Sequence, residues 1–167
     1  KEGVDVNQAD KDGLTPLFFA SQNDHTKVVS LLLTKEGVDV NQADKNGWTS
    51  LHIASLNGHT EVVSLLLANE GVDVNQAGED GVTPLLFASA QGHTKVVSLL
   101  LAKEGVDVNQ AVKNGDTSLL IASKNGHTKV MSLLLAKEGV DVNQAGEDGL
   151  TPLLFASAQG HTKVVSL

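Results

Sequence analysis

Residues 44–77, DKNGWTSLHIASLNGHTEVVSLLLANEGVDVNQA, decide the fold of this chain, because almost all of the remaining sequence is a variation on them. The glycine of the opening turn recurs at a constant step of 34 residues, at Gly13, Gly47, Gly81, Gly115 and Gly149. A fixed period of this length is the signature of a protein built from stacked repeats. We therefore expect an array of similar units without a single central core.

The first half of each unit carries the signals of a turn followed by a short helix. Asn46-Gly47 is a turn dipeptide, since glycine takes positive φ freely and asparagine tolerates it. Thr49 suits a helix N-cap, and three other units place proline at the next position, where a helix accepts it (Pro16, Pro84 and Pro152). A first helix is predicted from Leu51 to about Ser55, and Asn57-Gly58 ends it.

The second half predicts another helix and an extended segment. His59-Thr60 opens a stretch whose valines and leucines form a broad apolar helix face. Gly71 is predicted to end this helix. The segment 72–75, Val-Asp-Val-Asn, alternates apolar and polar residues like one arm of a β-hairpin. Neither helix reaches the ~12–15 residues that an isolated helix needs in water, so each unit must bury its leucines against its neighbours.

The order of these motifs, which runs turn, T-P-L, A-S, G-H-T, V-V, L-L-L and G-V-D-V-N, resembles the ankyrin repeat over essentially the whole chain. The tetratricopeptide repeat shares the period, but it has no hairpin segment and its aromatic positions are missing here. The resemblance implies an all-α repeat solenoid, in which stacked helix-turn-helix units carry projecting β-hairpin loops along one edge.

The period divides the chain into one tail, four full units and one partial unit. The tail of a preceding repeat is predicted at 1–9, full ankyrin repeats at 10–43, 44–77, 78–111 and 112–145, and a partial repeat at 146–167. Neither end carries the polar replacements of a terminal cap, so we expect a segment of a longer array. Residues 78–99 and 146–167 differ only at Val82 and Leu150, which indicates that a block of two units, 68 residues, was duplicated.

Two single positions depart from the family pattern. The histidine of the family's T-P-L-H motif survives only as His52, and its polar contact with the threonine of the same motif is forfeited in the other units. Asp24 stands where the other units have glycine (Gly58, Gly92, Gly126 and Gly160). We expect a left-handed backbone at Asp24, at some cost in stability.

The composition disfavours several kinds of partner. The formal net charge is −8 and all 12 basic residues are lysine, which argues against nucleic acid and anionic membranes. Uninterrupted apolar runs are only a few residues long, so membrane insertion is not expected. The chain has no cysteine, which is compatible with the expected cytoplasmic location.

The recurring polar residues do not predict a catalytic, metal or cofactor site. Stacked units lie roughly 8–10 Å apart, so histidines one unit apart cannot both reach a zinc ion at about 2.0–2.1 Å. The resemblance implies that these histidines bind loop backbone instead (His25, His59, His93, His127 and His161). The hairpin aspartates, one unit apart, are interpreted as solvated. The sequence lacks a nucleophile elbow and a phosphate-binding glycine loop, so we expect no enzyme and no cofactor.

The hairpin asparagines allow two interpretations. The resemblance places Asn41, Asn75, Asn109 and Asn143 at the positions where asparagine hydroxylation occurs in this family. The favoured interpretation is an asparagine that closes its hairpin for structural reasons. The sequence does not decide whether these residues are hydroxylated.

The resemblance implies that three positions of each unit face a concave binding groove: the residue after the turn glycine, the hairpin tip and the end of the first helix. The predicted partner-binding residues at these positions are Leu14, Trp48, Val82, Asp116, Lys45, Glu79, Leu56 and Lys124. Trp48 is the only tryptophan and stands where the fold has no need of it, and tryptophan is enriched among interface anchors. Leu14 and Leu56 predict an apolar patch over units one to three. The alternative is a surface aromatic without consequence.

Three functional hypotheses remain. The leading one is a protein–protein interaction module that binds another protein through the concave face and the hairpin tips. The second is a passive structural spacer within a longer repeat protein, and the third places an enzyme domain elsewhere in the parent chain. Near-identity of units three and five favours the spacer, whereas variation after the turn glycine favours binding. We expect a monomer, with end-to-end contacts through the uncapped terminal repeats as the alternative.

Overall fold

A computed structural model describes residues 3–165, with residues 163 and 164 described only in their backbone. The described residues form ten helices, arranged as five pairs: α1 Pro16–Gln22, α2 Thr26–Leu33, α3 Ser50–Asn57, α4 Thr60–Leu67, α5 Pro84–Gln91, α6 Thr94–Ala102, α7 Ser118–Lys124, α8 Thr128–Leu135, α9 Pro152–Ala158 and α10 Thr162–Val165. The predicted all-α repeat solenoid is confirmed. Leu167, where the partial repeat was expected to stop, lies outside the described residues.

The first helix of every pair begins after the threonine that the sequence indicates. The hydroxyl oxygen of Thr15 accepts the N–H of Phe18, and threonine caps the other first helices in the same way (Thr49, Thr83, Thr117 and Thr151). The helix of unit two runs from Ser50–Asn57, slightly longer than predicted, and Gly58 closes it at φ 75°. Asp24 has φ 56°, so the expected left-handed backbone is confirmed.

The second helices end earlier than the sequence suggests. In unit two α4 ends at Leu67 with Ala68 as its C-cap, so the prediction that Gly71 ends this helix is wrong. The side-chain oxygen of Asn69 accepts the N–H of Gly71 at 3.0 Å. This local bond offers the backbone an alternative to another helical turn.

The units stack so that their buried side chains form one continuous cluster. Val62, Val63 and Leu66 of α4 and Leu51 of α3 are all fully buried in this cluster. The first helices of neighbouring units pack against one another more extensively than the second helices do. The row of first helices therefore lies on the inner, concave side of the solenoid.

The loop after each second helix is tied to the loop of the next unit by asparagine. The side-chain N–H of Asn41 donates to the carbonyl of Gly71 at 2.7 Å, and its side-chain oxygen accepts the N–H of Asp73 at 2.8 Å. Asn7, Asn75 and Asn109 form the same two bonds. The interpretation that this asparagine closes its own hairpin is wrong, because both bonds reach the following unit.

The hairpin loops are turns more than paired strands. In unit two the N–H of Asp44 donates to the carbonyl of Trp48 at 2.9 Å, and the N–H of Glu79 in the next tip donates to the carbonyl of Asn46 at 2.9 Å. Within residues 3–165 the only β-bridge outside the helices joins Ala111 and Thr117. The projecting loops are therefore held by single bonds within and between units.

The asparagine bonds predict a difference between two residues in the same local sequence. Asn75→Ala removes two bonds to unit four and is expected to lower the free energy of unfolding by about 1–2 kcal/mol. Asn143→Ala is the control, since Asn143 is exposed, and it is expected to cost much less. Denaturant melts of the two variants check this, and equal losses would contradict a role between units.

Candidate protein-binding surface

The structure distributes the predicted partner-binding residues unevenly. Half-buried residues are Leu14, Trp48, Leu56, Val82 and Lys124, exposed residues are Lys45 and Glu79, and Asp116 is buried. Leu14, Leu56 and Val82 belong to three consecutive units, and their union into one apolar patch stays a prediction. The buried position of Asp116 leaves its carboxylate little surface with which to contact another molecule.

Trp48 packs against the following unit. Its ring meets that of Phe87 edge to face, with ring centres 4.9 Å apart and an angle of 85° between the planes. His52 lies on the same phenylalanine, at 6.2 Å between ring centres. The expectation that the fold has no use for Trp48 is therefore wrong, because the indole contributes to the contact between units two and three. Phe87 was missed, although the sequence replaces it with isoleucine in units two and four.

A charged cluster occupies the equivalent place between units four and five. Asp116 stands at the position of Trp48, Lys124 at that of Leu56, and Phe155 at that of Phe87. Lys124 Nζ lies 2.7 Å from Asp116 Oδ1 and 5.7 Å from the centre of the Phe155 ring. The ammonium group thus combines an ion pair with a cation–π contact. Asp116 serves this internal pair.

A glycine in the following unit makes room for both Trp48 and Asp116. A Cβ atom on Gly78 would lie 2.8 Å from Cδ1 of Trp48, and one on Gly146 would lie 3.0 Å from Oδ1 of Asp116. The units that follow smaller residues, Leu14 and Val82, begin with aspartate or valine at this position (Asp44 and Val112). The 68-residue double period therefore has a packing reason as well as a history of duplication.

The recurring histidines bind the backbone of the preceding unit. Nε2 of His59 lies 3.1 Å from the carbonyl oxygen of Gln22, and His93 and His127 make the same contact at 3.0 Å with Leu56 and Ala90. The structural role that the resemblance implies is confirmed for these three residues. Within residues 3–165 there is no group of three or more His, Cys, Asp or Glu side chains that could hold a metal ion.

His52 is fully buried at the junction of units two and three. Nε2 lies 3.0 Å from the carbonyl oxygen of Val82, which can only accept, so Nε2 carries the proton. Nδ1 is then free to accept the N–H of Thr49 at 3.1 Å. Burial lowers the pKa of His52, and the Val82 carbonyl acts in the opposite direction.

The lowered pKa of His52 predicts a loss of stability on acidification. The contribution is complete above the ordinary pKa of 6.5 and is lost as the pH falls through the lower value of the folded state. His52→Leu is expected to weaken this dependence, since units three to five carry leucine there (Leu86, Leu120 and Leu154). The check is the difference between the two proteins in free energy of unfolding from pH 7.5 to pH 5, at about half-unit steps. A pH-independent difference would contradict the assignment.

The contact between Trp48 and Phe87 predicts a fluorescence signature, because Trp48 is the only tryptophan. Phe87→Leu removes the edge-to-face contact, so the emission of Trp48 is expected to shift to longer wavelength and become easier to quench with acrylamide. Phe155→Leu, the same change two units away, should leave the emission unchanged. Identical spectra for Phe87→Leu and the unsubstituted protein would show that Trp48 does not rest on Phe87.

Comparison with known proteins identifies the repeat. The family model described as Ankyrin repeats (3 copies) matches residues 2–78, 36–112, 67–146 and 85–167, and these overlapping matches span nearly all of the chain. No curated protein sequence matches it. Among residues 3–165, no helix has both the length and the apolar character needed to cross a membrane.

Proposed function

The chain belongs to the ankyrin repeat family, and on this premise we propose that it binds another protein through the concave face formed by its first helices. Ankyrin repeats are generally protein–protein interaction modules and are typically not enzymes. The proposal assigns this role to a particular surface, centred on the junction of units two and three.

The observation that carries the proposal is the fixed but incomplete burial of Trp48. Phe87 and Gly78 hold the indole from one side, and the half-buried ring keeps part of its surface for a partner. A large aromatic side chain that is already immobilised loses little entropy on binding, and such residues dominate the energetics of interfaces. Units one, three and five carry leucine or valine at the same position, so the fold itself does not require a tryptophan there.

The neighbouring positions divide the surface into an apolar part and a charged part. Leu14, Leu56 and Val82 surround Trp48 with aliphatic side chains on units one to three. On units four and five the group offered to a partner is the Lys124 ammonium, since Asp116 is buried beneath it. A partner that fits both parts presents apolar side chains at one end and a hydrogen-bond acceptor or carboxylate at the other.

The hairpin tips form the rim of this surface. Lys45 pairs with Asp12 at 3.4 Å, and both side chains are more than half exposed. Exposed pairs of this kind contribute little to stability, so Lys45 is free to exchange its partner. Glu79, on the next tip, supplies a charge of the opposite sign. We expect these residues to influence the rate of association more than the final affinity.

The spacer remains the second candidate function. The near-identity of residues 78–99 and 146–167 favours it, because a surface adapted to one partner has no need of copies. The two readings differ at Trp48, which a spacer uses only for packing.

Substitution of Trp48 tests the proposal. Proteins captured on the immobilised chain are identified and then titrated against the unsubstituted chain, Trp48→Ala and the control Ser98→Lys, which changes an exposed residue of α6. We expect Trp48→Ala to weaken binding by at least ~2 kcal/mol, the range of interface hot spots, while the control binds normally. Thermal melts run in parallel should show only a moderate loss for Trp48→Ala. Unchanged affinity of Trp48→Ala would favour the spacer.

A further inference from the structure

The two end faces of the array expose side chains that the same positions bury inside it. On unit one Val28 is 46% exposed, whereas Val62, Val96 and Val130 at the same position are at most 1% exposed. On unit five Leu153 is 57% exposed, whereas its counterpart Leu85 in unit three is 2% exposed. The exposed faces are thus the two sides of one kind of interface, the one that joins successive units.

We propose that the face of unit five binds the face of unit one of a second copy of this chain, head to tail, and so repeats the interface between its own units. The occupant follows from the internal junctions, where every face like that of unit five is covered by a face like that of unit one. This contact lies at the ends of the array and leaves the surface around Trp48 free, so it is independent of the proposed partner binding.

The polar groups of the two end faces are complementary in the same way. At an internal junction His127 and Asn125 both bind the carbonyl oxygen of Ala90 in the preceding unit, at 3.0 and 2.8 Å. Unit one carries His25 and Asn23 at these positions, and unit five carries Ala158 at the position of Ala90. In the assembly His25 and Asn23 of the second copy bind the carbonyl oxygen of Ala158. Asn23 then gives up its present bond to the carbonyl of Phe19.

The loop row continues across the same junction. Asn109 binds the carbonyl of Gly139 and the N–H of Asp141 in the next unit. One unit later Asn143 is exposed, and the residues that continue the register are Gly3 and Asp5 of the second copy. Two further hydrogen bonds therefore form with the geometry already present at the internal junctions.

The packing at the turns also allows this order of units. Within the chain Leu14 of unit one is followed by Asp44 in unit two, and no glycine is needed. At the proposed junction Leu150 of unit five is followed by Asp10 of the second copy, which is the same combination. A residue as large as Trp48 would require glycine at the next unit, and unit one does not have it.

An interface between two different faces has a distinctive consequence. Each copy keeps one free face of each kind after binding, so the contact does not close into a dimer, and longer assemblies form as the concentration rises. Blocking either face of a chain leaves it able to bind through the other face only. Two chains blocked at opposite faces should therefore form a dimer when they are mixed.

Sedimentation equilibrium on three proteins tests this. Leu31→Asp blocks the face of unit one and Leu153→Asp blocks that of unit five. Both residues are more than half exposed (65% and 57%), so neither substitution should unfold the chain. Ser98→Asp, an exposed change on α6 away from both ends, is the control. Circular dichroism of each variant verifies the helix content.

The expected result has three parts. The unsubstituted chain and the control show an average mass that rises above the 17.4 kDa of one chain with concentration and reaches no plateau at the dimer. Each blocked variant alone stays monomeric, and their equimolar mixture approaches twice the monomer mass. A monomeric unsubstituted chain, a blocked variant that still dimerises by itself, or a monomeric mixture would overturn the proposal.

Discussion

No unit of this chain can bury its own apolar face, and the rest of the structure depends on that constraint. The helices α1 to α9 have seven to nine residues, too few to be stable alone. Val62 is fully buried while Val28, in nearly the same local sequence, is almost half exposed, and only the preceding unit makes the difference. The polar bonds obey the same rule, since His59 and Asn41 both bind neighbouring units. Stability therefore belongs to the junctions.

Much of the fold could be predicted from the sequence, because the signals for it are local. The period, the threonine caps and the left-handed backbone at Asp24 each follow from a few adjacent residues compared across units. The end of the second helix was misplaced because the bond from Asn69 to Gly71 competes with the helix. The role of the histidines came from the family resemblance.

The candidate site was harder to predict, because its contacts join residues in different units. The pairing of Trp48 with Phe87, the room that Gly78 provides and the burial of Asp116 all depend on how two units meet. A comparison of units position by position shows which residues vary but not which of them touch. The alternation of glycine with valine or aspartate at the start of the units was a usable signal, since it follows the alternation of the residue after the turn glycine.

Hydrogen exchange on two nearly identical segments tests the dependence on junctions most directly. Residues 78–99 and 146–167 differ at one position, but units on both sides enclose α5, whereas α9 has a described neighbour on one side only. The measurement uses Leu31→Asp, so that no second copy covers α9. We expect the amides of α5 to exchange only through global unfolding and those of α9 to exchange at a much lower opening free energy. Equal protection in α5 and α9 would contradict the account, because stability would then follow from the sequence of each unit.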